Sequence, residues 1–366
     1  MTGVPTWGKR AAVVAGAAGV VAAGAAVGLA AERYAVGRSF RSAHDLYRAE
    51  PFGELRGTVV PVTATDGVRL HVEVDGLAAG SRRTPPVTVV FCHGLALHQD
   101  SWHYQRRDLA DIADDGGRLV FWDQRGHGRS GRGDAEHATI DQLGRDLYAV
   151  VKATAPKGPI VLVGHSMGGM TIMALAEQHP ELFGKRVVAV ALVATSPGRL
   201  AEVTFGVPAA AGRALRRVAP KALAALNRRP ALVARSRSLG ADIEFVLTKR
   251  YSFATDVPPS LVLFASRMHD ATPLDVIAEL FPAFDAHDKL DALGVLNGVE
   301  TLVLCGEQDR MTPADHSREM VDRVPGAELV ILPEAGHLVM LEHHDVVTDH
   351  VRDLVERALR HRAATA

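Results

Sequence analysis

The stretch that decides the fold is Pro159-Ile160-Val161-Leu162-Val163-Gly164-His165-Ser166-Met167-Gly168. Its first half is an apolar run typical of a buried strand, and its second half places Ser166 between two glycines. Glycine at these two positions permits a sharp, strained turn from strand to helix, on which the serine hydroxyl is presented to a cleft. A helix-compatible run, Met170 to Gln178, follows. The stretch therefore predicts a strand, a turn that carries a candidate nucleophile, and a helix.

A serine hydroxyl is a poor nucleophile at neutral pH, so it needs a general base and an acid that orients the base. His337, in a loop after the last apolar run, is the predicted base. Asp309, in a loop just past the preceding apolar run, is the predicted orienting acid, with Glu307 as its competitor. Because these residues follow in the order Ser, Asp, His, the sequence predicts a catalytic triad of Ser166, Asp309 and His337.

Acyl transfer also needs hydrogen-bond donors for the oxyanion that develops on the attacked carbonyl. The backbone amide of Met167, directly after the serine, is one predicted donor. The amide of Leu95, in the loop after the third predicted strand, is the other. The candidate substrate-binding residues are His93, Gly94 and His165. For His93, a role in fixing the loop stays open.

Composition narrows the class of protein. The chain has 366 residues, enough for one large α/β domain with an insertion or for two domains. Its 41 basic and 42 acidic residues nearly balance, which implies no nucleic-acid partner. The two cysteines, Cys92 and Cys305, each end a strand-like run and are expected to be buried free thiols. We see no disulfide framework and no metal spacing, and expect no metal and no cofactor.

The apolar runs predict the strands of one sheet. They are Thr58 to Thr63, Val68 to Val74, Val87 to Cys92, Leu119 to Trp122, Ile160 to Val163, Val187 to Val193, Thr301 to Cys305 and Leu329 to Leu332. The first two are predicted to form a hairpin around Asp66-Gly67. The later runs are almost continuously apolar, which fits parallel strands buried on both faces. An amphipathic helix from about Val346 to Arg360 is predicted to close the chain.

The same pattern divides the chain into four parts. Residues 1–45 form a hydrophobic anchor-like or signal-like segment with a linker, and residues 57–196 form the first part of an α/β core. Residues 197–297 show helical patterns with few strand signals and are predicted to form a helical cap. Residues 298–362 complete the core.

Together these motifs resemble an α/β-hydrolase of the serine esterase and lipase type. The matching stretches are His93-Gly94, Asp123 to Ser130, Gly164 to Gly168, Asp309 and Gly336-His337. The resemblance implies a mostly parallel eight-stranded sheet flanked by helices, with a helical cap inserted between strands six and seven. The chain is also similar to monoacylglycerol lipases with an amino-terminal membrane anchor, among which Gly-His-Ser-Met-Gly-Gly is common.

The resemblance implies a serine hydrolase that cleaves carboxylic esters, of small-molecule or lipid type, with an apolar acyl group. A serine at the turn argues against epoxide hydrolases and haloalkane dehalogenases, which have an aspartate there. Cofactor-free haloperoxidases or perhydrolases, C–C bond hydrolases, proline aminopeptidases and acyltransferases keep the serine and stay open, as does a non-catalytic ligand-binding protein. The residues that could line an acyl pocket, or form the cap core instead, are Phe205, Phe245, Tyr251, Phe253, Phe264, Met268, Phe281 and Phe284.

Residues 11–31 are uncharged and mostly small or aliphatic. As a helix they would reach about 30 Å, near the thickness of a bilayer's hydrocarbon core. We therefore expect membrane association, with secretion after signal cleavage as the alternative. More basic residues follow the segment than precede it, which favours the enzyme on the cytoplasmic face. The arginine-rich stretch from Arg199 to Arg237 is either a solvated helix face or a surface that docks on anionic lipid. The sequence leaves the oligomeric state open.

Overall fold

A single mixed sheet runs through the part of the protein that the computed structural model describes, residues 50–76, 86–203 and 245–365. Within these ranges its strands β1 to β8 are Thr58–Thr63, Arg69–Asp75, Thr88–Cys92, Arg118–Trp122, Ile160–His165, Val187–Val193, Glu300–Gly306 and Glu328–Leu332. Their order across the sheet is β1-β2-β4-β3-β5-β6-β7-β8. The pairs β1–β2 and β2–β4 are antiparallel, and all other neighbours are parallel. The eight-stranded, mostly parallel sheet predicted from the sequence is confirmed.

Burial on both faces explains why the central strands read as continuous apolar runs. Every residue of β3 and of β5 is buried. Along β3 the side chains alternate between two cores: Val89 and Phe91 pack on one face, and Val90 and Cys92 on the other. A strand covered by helices on both sides has no solvated face, so it shows no polar alternation.

Helices flank this sheet. In chain order we label them α1 to α9: His103–Asp108, Ala110–Asp114, Ile140–Thr154, Met167–Gln178, Pro259–Ala271, Leu274–Asp285, Ala314–Arg323, Val339–Glu342 and His344–Thr365. Short 3-10 segments lie at Gln99–Trp102, Ala135–His137, Pro180–Leu182, Leu200–Glu202 and Asp291–Leu296, and residues 245–252 are helical. The start of α3 is fixed by Thr139, whose side chain accepts a hydrogen bond from the amide of Gln142.

The predicted hairpin is present. Strands β1 and β2 pair from Thr58 opposite Val74 to Thr63 opposite Arg69. Between them Gly67 has φ of 85°, a left-handed conformation that glycine adopts at low cost.

The interval predicted to be a cap lies between β6 and β7. Its described residues are mainly helical, and they include α5, α6 and the helical residues 245–252. Residues 204–244, with Phe205 and most of the arginine-rich stretch, lie outside the described residues, so the cap's bounds at 197 and 297 stay a prediction. Residues 1–49 also lie outside them, and with them the predicted anchor at 11–31. Within 50–76, 86–203 and 245–365, no helix has both the length and the apolar character needed to cross a bilayer.

Candidate active site

Ser166 lies on the turn between β5 and α4, with backbone angles φ of 52° and ψ of −118°. A positive φ is strained for a residue that carries a side chain, and such strain clusters at functional sites. A Cβ atom on Gly164 would lie 2.6 Å from the backbone of Gly168, and one on Gly168 would overlap the carbonyl oxygen of Cys92. The turn needs both glycines because these backbones pack directly against one another.

A buried aspartate and a buried histidine meet beyond the carboxyl ends of β7 and β8. Oδ2 of Asp309 lies 2.8 Å from Nδ1 of His337. The same oxygen accepts a hydrogen bond from the hydroxyl of Thr312 at 2.7 Å. Oδ1 accepts from the amides of Met311 at 2.8 Å and Thr312 at 2.9 Å. These donors fix the carboxylate, which in turn assigns the ring proton of His337 to Nδ1 and holds the imidazole in place.

The charge of Asp309 is maintained by its partners. Burial alone would raise the pKa of Asp309, but the charge and hydrogen bond of His337, with the donors of Thr312, hold this pKa below its ordinary value. Asp309 is therefore an anion at neutral pH and can stabilise a protonated His337. The competing carboxylate, Glu307, is exposed to solvent. The geometry thus pairs His337 with Asp309, as the sequence predicts.

Ser166 and His337 both line a cavity of about 680 Å³, and a second cavity of about 170 Å³ adjoins Ser166. Leu95, Phe281 and Met311 belong to the walls of both. The other described side chains of the larger cavity are Ala96, Leu97, Leu247, Thr248, Tyr251, Ser252, His269, Ile277 and Leu338, with Gly94 and His165. Those of the smaller one are Met170, Leu200, Phe284 and Thr312. Ser166 therefore lies where two largely apolar spaces of unequal size meet.

The residues predicted to line an acyl pocket are divided between these walls and the protein core. Tyr251 and Phe281 line the larger cavity, and Phe284 lines the smaller one. The others that the structure describes belong to a buried core, namely Phe245, Phe253, Phe264 and Met268.

The two predicted oxyanion donors adjoin the nucleophile. Met167 begins α4, where the first amides of a helix have no partner within it. Leu95 lies in the loop after β3 and lines both cavities beside Ser166. Among the described residues, the amides of Leu95 and Met167 donate no hydrogen bond within the protein. Both are thus available to a ligand, and their role in catalysis stays a prediction.

The three candidate substrate-binding residues have different surroundings. The His93 side chain is fully buried: its Nδ1 lies 2.7 Å from the carbonyl of Gly94, and its Nε2 accepts from the amide of Gln124 at 2.9 Å. It therefore fixes the loop, the alternative that the sequence left open, and the geometry gives no support to substrate binding by this side chain. Gly94 lines the larger cavity.

His165 is buried beneath the catalytic pair. Its Nε2 lies 2.9 Å from the carbonyl oxygen of His337, so it donates a hydrogen bond that holds the backbone of His337. Burial lowers the pKa of His165 to about 3, and the ring stays neutral at working pH. Its side chain thus supports His337 and also lines the larger cavity, so its contact with substrate stays a prediction.

Glu342 is a functional support that sequence reasoning missed. Its Oε1 accepts hydrogen bonds from the amides of Ala254 at 2.8 Å and Thr255 at 2.6 Å, and from the Thr255 hydroxyl at 2.6 Å. Its Oε2 accepts from the amide of Gly336 at 2.6 Å. One carboxylate therefore ties the segment after residues 245–252 to the loop of His337. A helix-borne glutamate gives no sequence signal of such a role, because Ala254 and Thr255 lie 88 and 87 residues away in the chain.

The cysteines and one surface cluster lie apart from the cavity walls. Cys92 and Cys305 are buried free thiols, and burial raises the pKa of Cys92 to about 12. Asp134, Glu136 and His137 bring their ligand atoms within 4.8 Å of one another at the surface. Exposed groups of this kind do not by themselves define a metal site.

Comparison with known proteins agrees with this architecture. The family model of the alpha/beta hydrolase fold matches residues 87–344. The chain belongs to this family.

Its curated relatives differ in chemistry. A proline iminopeptidase from Pestalotiopsis fici is 25% identical over 302 residues, which cover 78% of this chain and 99% of the relative. A 2-hydroxy-6-oxo-6-phenylhexa-2,4-dienoate hydrolase from Burkholderia cepacia is 27% identical over 267 residues, covering 70% and 83%. Among solved structures, an esterase from Thermogutta terrifontis has a TM-score of 0.61 at 23% identity, covering 82% of this chain and 99% of that one. An enol-lactonase from Burkholderia xenovorans has a TM-score of 0.64 at 23% identity, covering 81% and 100%. The likeness thus fixes the fold and a hydrolase family, and leaves the substrate to the site.

Proposed function

We propose that the protein is a serine hydrolase that cleaves carboxylic esters with an apolar acyl group. The observation that carries the proposal is the 2.8 Å hydrogen bond from His337 to Asp309, with His337 and Ser166 lining the same cavity. An oriented, buried base beside a serine on a strained turn is the arrangement that activates a hydroxyl for attack on a carbonyl.

Each group has one role in the proposed reaction. The Ser166 hydroxyl attacks the ester carbonyl carbon while Nε2 of His337 takes its proton. The amides of Leu95 and Met167 stabilise the oxyanion of the tetrahedral intermediate. The intermediate collapses to an acyl-enzyme as His337 protonates the departing alcohol. Water, deprotonated by His337, then releases the carboxylic acid and restores the serine.

The cavity walls support an apolar substrate. Leu97, Leu247, Ile277, Phe281 and Leu338 belong to the larger space, and the polar side chains described there are neutral at neutral pH or belong to the catalytic base. Apolar walls favour a neutral hydrocarbon chain because burying an unpaired charge is strongly unfavourable. A lipid substrate and membrane association through residues 11–31 remain predictions from the sequence.

Two measurements test the proposal. A fluorophosphonate probe should label Ser166, with the labelled peptide identified by mass spectrometry, and Ser166→Ala should prevent labelling. In parallel, kcat/KM is measured for p-nitrophenyl esters of increasing chain length, for a dienoate C–C substrate and for a prolyl amide. Ester turnover that exceeds the other two and disappears in Ser166→Ala supports the proposal. A folded protein that is not labelled, or that turns over the C–C or prolyl substrate faster, would overturn it.

A further inference from the structure

Besides His165, Ser166 and His337, the described wall of the larger cavity contains a second group of polar side chains among apolar ones. Thr248, Tyr251 and Ser252 come from the helical residues 245–252, and His269 comes from α5. In the smaller cavity the described wall is apolar apart from Ser166 and Thr312. Polar groups in an apolar cavity are unfavourable unless a partner satisfies them, so this difference between the two spaces calls for a physical reason.

Two of these groups, Thr248 and His269, form a short hydrogen-bonded chain with Ser266 of α5. The Ser266 hydroxyl donates to Oγ1 of Thr248 at 3.3 Å, and Oγ1 of Thr248 lies 3.2 Å from Nδ1 of His269. A threonine hydroxyl has one proton to donate. With Ser266 donating to its oxygen, Thr248 can direct its own proton at Nδ1, and in that arrangement the ring proton of His269 is on Nε2. Thr248 and Ser266 are both buried, whereas His269 is half-buried and reaches the cavity.

The charge state of His269 restricts what it can bind. Burial, together with the nearby His337, lowers the pKa of His269 to about 4, so the ring is neutral at neutral pH. A neutral imidazole with its proton on Nε2 donates one hydrogen bond and provides no charge to attract a carboxylate or a phosphate.

We propose that His269 determines specificity by donating a hydrogen bond from Nε2 to a neutral oxygen of the substrate, with Thr248 as its positioning residue. The substrate class is then an ester whose larger part carries a keto or similar neutral oxygen away from the scissile bond. This inference rests on the proposed ester hydrolysis, and it assigns the larger cavity to the oxygenated part and the smaller one to a short apolar part.

The test uses pairs of esters that differ only by the replacement of one CH2 by C=O. The p-nitrophenyl octanoates with a keto group at successive carbons probe the acyl side, and octyl acetates with the same scan probe the alcohol side. The readout is the ratio of kcat/KM for the keto ester to that for the plain ester. A neutral hydrogen bond is worth about 1 kcal/mol, so at one position the ratio should exceed unity by about fivefold.

Variants locate the source of the preference. In His269→Phe the ratio at that position should fall about tenfold or more, because the carbonyl is then buried without a donor. His269→Gln retains an N–H donor on a side chain of similar reach and should keep part of the preference. Thr248→Val should lower the ratio, and Thr248→Ser, which restores the hydroxyl, should recover it. The matched control is Ile277→Ala in the same wall, which should change both esters of a pair by the same factor.

The experiments distinguish failure of the inference about His269 from failure of the proposed ester hydrolysis. If Ser166 is labelled by fluorophosphonate and esters are hydrolysed, but no keto position shows a ratio that depends on His269, this inference is overturned and the proposed function stands. If Ser166 is not labelled in the folded wild type, both fall. Should His269→Phe not fold, the ratios of His269→Gln and Thr248→Val decide, since a ratio unchanged in both would overturn the proposal.

Discussion

Replacement of Asp309 by asparagine should reverse the tautomer of His337, the proposed general base. Oδ1 of Asp309 accepts two backbone donors, the amides of Met311 at 2.8 Å and Thr312 at 2.9 Å. An asparagine NH2 cannot occupy that position, because it would place a donor against two donors. The amide oxygen must therefore take the Oδ1 position, and the NH2 group must take the Oδ2 position, 2.8 Å from Nδ1 of His337.

The magnitude follows from the roles of the two ring nitrogens. With an NH2 donor facing it, Nδ1 of His337 must accept, so the ring proton moves to Nε2 and the imidazole can no longer receive the proton of Ser166. We expect kcat/KM for p-nitrophenyl butyrate to fall by about 10³ to 10⁴, or about 4–5.5 kcal/mol of transition-state stabilisation. A variant that loses only the charge, with the tautomer intact, would lose far less.

The assay needs a control for folding and a control for charge. Circular dichroism and thermal melting show whether Asp309→Asn is folded, and stopped-flow kinetics measure acylation directly. Glu307→Gln makes the same carboxylate-to-amide change two residues earlier on an exposed side chain, and its rate should equal that of the wild type. A folded Asp309→Asn whose kcat/KM lies within about tenfold of the wild type would refute the tautomer argument.

Three further changes test other parts of the structure. Gly168→Ala should lower the free energy of unfolding by about 1–3 kcal/mol in urea titrations, because its Cβ would overlap the carbonyl of Cys92; Gly294→Ala, with no atom within 4 Å of the added carbon, should leave it nearly unchanged. In urea titrations the free energy of unfolding of Ser166→Gly should exceed that of Ser166→Ala by about 1 kcal/mol, since glycine relieves the positive φ. Equal stability of the two variants would contradict the assigned strain. Burial alone would raise the pKa of Glu73, but hydrogen bonds from His71, Gly57, Gln99 and Arg106 lower it from 4.5 to about 2, so stability present above pH 4.5 is lost as pH falls towards 2. In Glu73→Gln unfolding should depend less on pH across this window, and an unchanged slope would show that other carboxylates dominate.

Much of this fold can be predicted from the sequence because its signals are local. The buried strands appear as apolar runs, and β6 begins and ends at the residues predicted from sequence, Val187 and Val193. The turn at Ser166 can be predicted in the same way, since Gly164 and Gly168 are required by backbone contacts within a few residues of Ser166 and with one adjacent strand. The order of the triad then restricts the choice of base and acid.

The side-chain contacts that support the candidate site, such as those of Glu342 and His269, cannot be predicted from the sequence in this way. Glu342 binds Thr255, and His269 meets Thr248, across 87 and 21 residues of chain respectively. Neither pair has a periodicity or spacing that marks it, because the contact depends on how separate elements are packed. The choice of Asp309 over Glu307 has the same origin: the sequence offers both carboxylates, and only the fold buries one of them against His337.

The hydrogen bonds of Glu342 have a consequence for engineering substrate range. They hold Ala254 and Thr255 to the loop of His337, and the amide of Leu338 donates to the carbonyl of Ser252 at 2.9 Å. These hydrogen bonds therefore couple the position of the larger cavity's wall to the position of His337, so that a shift in one is expected to move the other. A chimera that imports another protein's residues 245–251 should retain 252–255 together with Glu342, because separating them would move His337 along with the cavity wall. Otherwise, mutations selected for a new substrate would first have to restore the position of His337 before they could improve the contacts between the cavity wall and the substrate.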